Sequence, residues 1–468
     1  MENMNEEMEE RVPDLMNINE ISNITLGIDV DTNVLDPVVN NQDNCRFVLS
    51  NRGFLNSFSK ITLSVKKSSG ATFPVGVGVY ALIDSAVLRI GNTELSRFEG
   101  LSHWMAYKSM FIGNDTNVER ETYMTSRILN HEVIYDNEAG QVSNQVSEGY
   151  GLSTKYEYKQ NAGGTAGDLL TDPCLRMTDG PVFSVSLADL FPWLRYNQLP
   201  LFAINEQVSI ELNFNSAASL SRCVHPKNTE ATGQIFDIDL TQTKFVADYI
   251  FYTDGNIQEK WLQQNPVKKW NYNEYRLNIR TFTGEQLNQK NIIDIGGAGR
   301  LCSKVVTSLT QQLTPNDSRL TNTYSAVAPP ISNGNNSLFT TNLIYNDSRL
   351  YSLDRSNPAL HFHDIISTEN NVPHITRQEF NNQGPSGGLN SAYTYLEYDQ
   401  ASLAEGLAGK FHHIAYRLNR NERVNGKGIQ LELQYGGFGN ADVFTHRSWL
   451  ELSKEAVLDN GTFRSYYV

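Results

Sequence analysis

The chain has 468 residues, 40% of them hydrophobic and 19% charged, with a formal net charge of −14. One core seldom serves so many residues, so two domains of about 200 residues each are expected, and the composition excludes a disordered chain. The charge is uneven: residues 1–44 hold eleven acids and one base, a net of −10, which leaves −4 for the rest. No clustered Lys and Arg of the kind that displace counterions from nucleic acid stand out, and direct nucleic-acid binding is not expected.

The acidic start, Met1-Glu2-Asn3-Met4-Asn5-Glu6-Glu7, is unlike the basic opening of a secretory or transit segment. The longest apolar run, Pro74 to Ile83, has ten residues and two glycines, too short to span a bilayer. Synthesis in the cytosol is the expectation. Met4, Met8, Val12 and Leu15 recur at helical spacing among glutamates, interrupted at Pro13, and mark a short amphipathic or disordered acidic arm. The four cysteines, Cys45, Cys174, Cys223 and Cys302, form no CxxC pair and read as structural thiols.

Beyond the arm, alternation of period two dominates. Val208–Phe214 and Ile429–Tyr435 alternate apolar and polar residues without a fault, which sets one face in a core. Further strands are predicted at Arg46–Leu49, Lys60–Val65, Ala86–Ile90, Val182–Val185, Val246–Tyr252, Tyr275–Ile279 and Lys304–Leu309. Gly/Asn/Ser-rich stretches at 137–168, 321–338 and 380–391 read as long loops. The halves echo each other: Ser59–Val65 resembles Ser303–Leu309, and Ser186-Leu187-Ala188-Asp189 resembles Ser402-Leu403-Ala404-Glu405, in the same order. The expected fold is all-β, two tandem jelly-roll β-barrels with long loops and a short N-terminal arm. An immunoglobulin-like sandwich is the alternative, though its domains are nearer 100 residues. The predicted boundaries are an arm at 1–44, a first barrel at 45–215, a linker at 216–243, and a second barrel with a C-terminal extension at 244–468.

Leu190-Phe191-Pro192-Trp193, then Leu199-Pro200-Leu201-Phe202-Ala203-Ile204, then the strand Val208–Phe214, resemble the end of the first barrel in double jelly-roll major capsid proteins of nucleocytoplasmic large DNA viruses and their virophage and polinton-like relatives. Ile83–Gly91 is similar to a first-barrel strand ending in an apolar-Gly turn. Ala247–Asp254 is similar to the strand that opens the second half, Gln258–Leu262 to a short helix after it, and Gly428–Tyr435 to the last strand of the second barrel. The helix lacks the family's basic pair, and the stretch between Leu199 and Val208 is a residue shorter than in the large algal and amoebal viruses, which points to the smaller relatives. The resemblance implies a structural major capsid protein, three copies forming a pseudo-hexagonal capsomer of an icosahedral DNA-virus shell. Its implied partners are copies of itself and minor capsid and penton proteins, with an underlying membrane left open, and its implied location is the virion capsid. Two alternatives are carried: a capsid-like scaffold of immature particles, and a carbohydrate-binding or carbohydrate-processing β-sandwich. The last requires an aromatic-lined cleft with paired carboxylates.

Pro192 and Pro200 fix φ on either side of a corner that Trp193 is expected to anchor in an apolar pocket. No HExxH, GxSxG or Walker A motif is present. Gly406–Lys410 is followed by Phe411 where a P-loop needs Ser or Thr, and Gly296-Gly297-Ala298-Gly299 reads as a loop. His361-Phe362-His363 would place two imidazoles on one face of a strand, and His412-His413 on opposite faces. With Asp364 and His374 these could approach a metal set, but solvent or barrel-edge histidines are the better reading. Glu119 and Glu121, flanking Arg120, read as surface acids. No enzyme, catalytic residue, cofactor or metal is expected.

Overall fold

The computed structural model describes residues 28–64, 77–112, 182–215, 237–252, 256–312, 340–354, 358–374, 412–419, 421–436 and 438–468, with a few short pieces between them. Its main elements in the first half are β1 (Ile28–Leu35), β2 (Asn44–Val48), β3 (Phe54–Leu55), β4 (Lys60–Leu63), β5 (Ile83–Ile90), β6 (Thr93–Glu99), α1 (Leu101–Ser109), β7 (Phe183–Ser186), β8 (Leu199–Pro200), β9 (Val208–Phe214) and β10 (Lys244–Tyr252). The second half has α2 (Asn256–Gln264), β11 (Val267–Thr283), β12 (Asn291–Gly296), β13 (Cys302–Gln312), β14 (Thr340–Tyr345), α3 (Pro358–Glu369), β15 (His413–Arg417), β16 (Ile429–Gln434), β17 (Val443–Asp459) and β18 (Thr462–Tyr467). Each predicted strand has its counterpart. The stretch 137–168, expected as loop, carries short strands that join Val133–Asp136 and Leu169–Leu170 in a small four-stranded sheet.

Each half is a pair of antiparallel sheets. In the first, one sheet runs β7-β4-β10-β3-β8 with β1 along the other edge of β10, and the facing sheet contains β2-β9-β5-β6. In the second, one sheet runs β11-β17-β13-β15 with β18 on β17, and the other contains β12-β16-β14. Alternation drives the layering: Phe245, Ala247 and Tyr249 of β10 are fully buried, while the residues between them are partly exposed. Gly91, at φ +56°, makes the tight turn between β5 and β6.

The halves match strand for strand. β9 lies between β2 and β5 as β16 lies between β12 and β14. β4 lies between β7 and β10 as β13 lies between β15 and β17. β1 runs along β10 from Ile28↔Tyr252 to Leu35↔Phe245, as β11 runs along β17 from Val267↔Asp459 to Thr283↔Val443. This correspondence moves the predicted boundaries. The strand Lys244–Tyr252 closes the first barrel instead of opening the second, and Val443–Asp459 closes the second instead of extending it. Part of the predicted arm, Ile28–Leu35, is a barrel strand. Alternation reveals that a segment is a strand but not which sheet takes it; register decides that.

Two helices replace predicted strand or go beyond the prediction. α1 is buried on nearly every side, so it has no polar stripe and no helical periodicity to read. α3 contains His361-Phe362-His363. Positions two apart share a face in a strand but lie roughly 200° apart on a helix, and His361 is fully buried while His363 is exposed. α2 falls where the family resemblance placed a helix.

Between β11 and β12, a capping box holds the helical turn Gly284–Leu287: the Thr283 hydroxyl accepts from the Gln286 amide at 3.3 Å, and the Gln286 side chain accepts from the Thr283 amide at 2.9 Å. Thr283→Ala is expected to cost about 1 kcal/mol in denaturant unfolding, the usual worth of a lost cap.

Candidate functional site at the seam between the barrels

Of the histidines read as solvent or barrel-edge residues, His361, His412 and His413 are buried. His361 and His412 are fully buried, with rings 5.7 Å apart, and His413 packs on Tyr107 at 5.0 Å. His363 and His374 are exposed, while Asp364 is buried. Among the described residues no group of three His, Cys, Asp or Glu is placed to hold a metal ion. Cys45 and Cys302 are buried thiols, each pushed up to about 12, first by burial. Cys174, Cys223, Glu119–Glu121 and Gly406–Lys410 lie outside the described residues. Of the stretch read as a loop, Gly296 is the last residue of β12 and 297–299 connect β12 to β13, with Gly296, Gly297 and Gly299 all at positive φ.

Burial sets the titration of the interior histidines. His412 is lowered well below its ordinary value by burial, then by His361 and His413, and His446 is pushed down to about 3 by burial and then by Arg447. A folded pKa below the unfolded one means that the unfolded chain takes the proton first, so stability present above pH 6.5 is lost as pH falls from 6.5 toward 3. Melting temperature is expected to fall across that window, and to fall less steeply in His446→Gln. Parallel curves for the two proteins would reject the assignment to His446.

What the fold brings together most densely is the seam. Residues of both barrels belong to one continuous hydrophobic cluster, with Val306, Ala415, Trp449, Ala456 and Phe463 joining the first-barrel core. Trp104 of α1 is its centre. Its ring lies 4.4 Å from Tyr275 and 5.7 Å from Trp449 of the second barrel, and 5.2 Å from Tyr107 of the first. Gly100 turns the chain from β6 into α1 at φ +66°, a left-handed conformation that favours glycine, and a Cβ there would stand 2.7 Å from the Leu277 methyl, which would have to shift. Trp193 does anchor its corner. Its pocket wall is Tyr272 of the second barrel, ring to ring at 5.0 Å.

Polar groups buried in the seam find partners across it. Tyr272 donates to the Leu95 carbonyl at 2.5 Å and the Trp449 indole to the Glu99 carbonyl at 3.3 Å. The Lys454 ammonium donates to Leu95 at 2.8 Å, and the Arg97 amide donates to Glu274 at 2.9 Å. At the C-terminus of α3, Glu369 accepts from Tyr107 at 3.0 Å, Lys108 at 2.7 Å and Lys304 at 2.9 Å, and Lys304 also meets Glu451 at 3.3 Å. Burial alone would raise the Glu369 pKa, but the two ammonium groups outweigh it and hold the carboxyl at about 2. Sequence reading missed every member of this cluster. The one local sign was a charged residue interrupting an apolar strand, as Lys304 does between Cys302 and Val305.

Beside the seam opens a cleft of about 590 Å³ lined by Trp193, Tyr196, Tyr272 and Tyr275 together with Glu451 and Glu455. It has the aromatic walls and two carboxylates that the carbohydrate alternative requires. Both acids are already engaged: Glu451 holds Lys304 and accepts from Asn273 at 2.5 Å, and Glu455 pairs with Lys269 and Tyr466. They act as framework of the seam, not as an acid and base facing open space.

The chain is similar in structure to the VP54 protein of PBCV-1 fitted into a cryo-EM reconstruction of the virophage Sputnik, with a TM-score of 0.53 and 9% identity over 95% of this chain and 97% of that one. It is similar to the Faustovirus major capsid protein, with a TM-score of 0.52 and 9% identity over 92% and 90%. The fold is a double jelly roll. The Sputnik virophage cryo-EM structure gives the same double jelly roll, with a TM-score of 0.51 and 11% identity over 94% and 88%. No protein-family model and no curated protein matches the sequence. The double jelly roll accounts for the strand-for-strand duplication, and the seam is where its two rolls are welded.

Proposed function

We propose that this double jelly roll is the major capsid protein of an icosahedral DNA virus, assembling as homotrimers whose six barrels make a pseudo-hexagonal tile. The observation that carries the reading is the seam. A shell subunit must keep two barrels in one orientation under load, and a shared hydrophobic core with bonded polar groups does so far better than a linker. The likeness to viral capsid proteins along almost the whole chain supports it. The role is structural and not enzymatic, the chain is made in the host cytoplasm, and its partners are further copies of itself with minor capsid and penton proteins at edges and vertices.

The purified full chain tests this. Native mass and negative-stain images are expected to give three chains per particle with a hexagonal outline. A monodisperse single chain at all concentrations would reject the proposal. The scaffold alternative separates by location, since a scaffold is absent from mature particles.

A further inference from the structure

The cleft beside the seam is lined in two different ways. Part of its lining welds the barrels: Tyr272 and Glu451 are buried, and Trp193 is 7% exposed. The rest is accessible. Tyr196 is 88% exposed, Asn271 is exposed, and Asn197 and Asn273 are half-buried, so an open aromatic ring and three amides border the space. A volume of about 590 Å³ falls within the range of small-molecule sites.

The charged side chains of the lining are already paired. Glu451 faces Lys304 at 3.3 Å, Glu455 faces Lys269 at 3.6 Å, and Lys454 faces Glu274 at 3.5 Å. Two of the rings already have a cation beside them. Lys454 lies 6.0 Å from the Tyr272 centroid and Lys304 5.5 Å from that of Tyr275. An ionic ligand would therefore compete with internal partners, and a neutral one would not. What the lining still offers is neutral. It comprises the open ring of Tyr196, the exposed amide of Asn271, and the Trp193 indole N–H, which is buried with no acceptor among the described residues. Asn197 is held in place by its own amide, which donates to the Trp193 carbonyl at 2.9 Å and leaves the amide oxygen for a donor.

Sugars match this set. A pyranose ring has a face of C–H groups that packs on an aromatic ring, and an edge of hydroxyls that both donate and accept, as amides do. We propose that the cleft binds a short neutral saccharide, stacked on Tyr196 and hydrogen-bonded by Asn271 and Asn197. The site is one of recognition and not of hydrolysis, since both of its acids are engaged. Copies repeated on one particle would turn a weak contact into firm attachment to a glycan-coated surface. That consequence rests on the self-assembly reading; binding by the chain itself does not.

The full-length protein is titrated with neutral oligosaccharides, namely maltohexaose, cellohexaose, mannohexaose and chitohexaose. A heparin hexasaccharide and a glucosamine hexamer serve as anionic and cationic comparisons. Calorimetry reads the binding, and tryptophan emission reports occupancy through Trp193. At least one neutral member is expected to bind saturably, and more tightly than either charged one. Tyr196→Ala and Asn271→Ala are each expected to weaken that binding at least tenfold. Both positions are exposed, so the melting temperature should not move. Absence of saturable binding by every neutral member at about 10 mM would overturn the proposal. So would binding that survives both substitutions, or a preference for a charged saccharide. A chain that binds yet stays single rejects the trimer reading and leaves the site standing. A trimer that binds no neutral saccharide does the reverse.

Discussion

Glu369→Ala is expected to destabilise the protein by about 3–5 kcal/mol, the usual cost of breaking a buried ion pair by removing one partner. The loss arises because the Lys304 ammonium stays buried opposite Glu451 alone, and because Lys108 and Tyr107 lose their acceptor. Denaturant unfolding measures it. The pH dependence separates this carboxylate from generic packing. With a folded pKa of about 2 against an ordinary 4.5, Glu369 contributes stability that is complete above pH 4.5 and is lost as pH falls toward 2. The size of that shift corresponds to about 3 kcal/mol. Glu369→Gln keeps the shape and is expected to flatten the stability curve between pH 4.5 and 2. An unchanged slope there would reject the role given to Glu369.

Trp104→Ala is expected to cost about 3–5 kcal/mol, as for other large aromatic deletions in cores. Trp104 is 2% exposed, and its ring contacts come from both barrels, so the cavity opens in the seam and not inside either barrel. The expected signature is therefore specific. Calorimetry on the native protein should give one cooperative transition and on the variant two, as the barrels begin to melt separately. A single transition with a loss below about 1 kcal/mol would sink the claim that this residue couples the barrels.

Much of the barrel architecture was legible in the sequence because strand alternation is a local property. Val208–Phe214 and Ile429–Gln434 stand where they were expected, and the echo between Ser59–Val65 and Ser303–Leu309 marks equivalent strands of the two rolls. The boundary was not legible, since β10 has the same alternation whichever barrel it joins. The seam was less legible still. Trp104 sits in a helix without a polar face, and Glu369 reaches Lys108 across 261 residues of sequence. A charge whose partner is that distant looks like any surface charge until the fold is known. The histidines misled for a related reason: one segment alternating like a strand was a helix packed on a strand, which put His361 against His412 inside the second barrel.

The course of the chain also sets an order of events during its synthesis. The first barrel holds all its strands once Tyr252 has been made, yet the wall of its seam is supplied by residues as late as Ser465, which donates to the Glu94 carbonyl at 3.1 Å. At ordinary elongation speeds the wait is on the order of ten to forty seconds. A first barrel that folds within that wait would present Trp104 and its neighbours to water, because Tyr275 and Trp449 are not yet there to cover them. In a cell making this protein in quantity, chaperones that shield such apolar surfaces on half-finished chains are expected to govern the yield of folded protein.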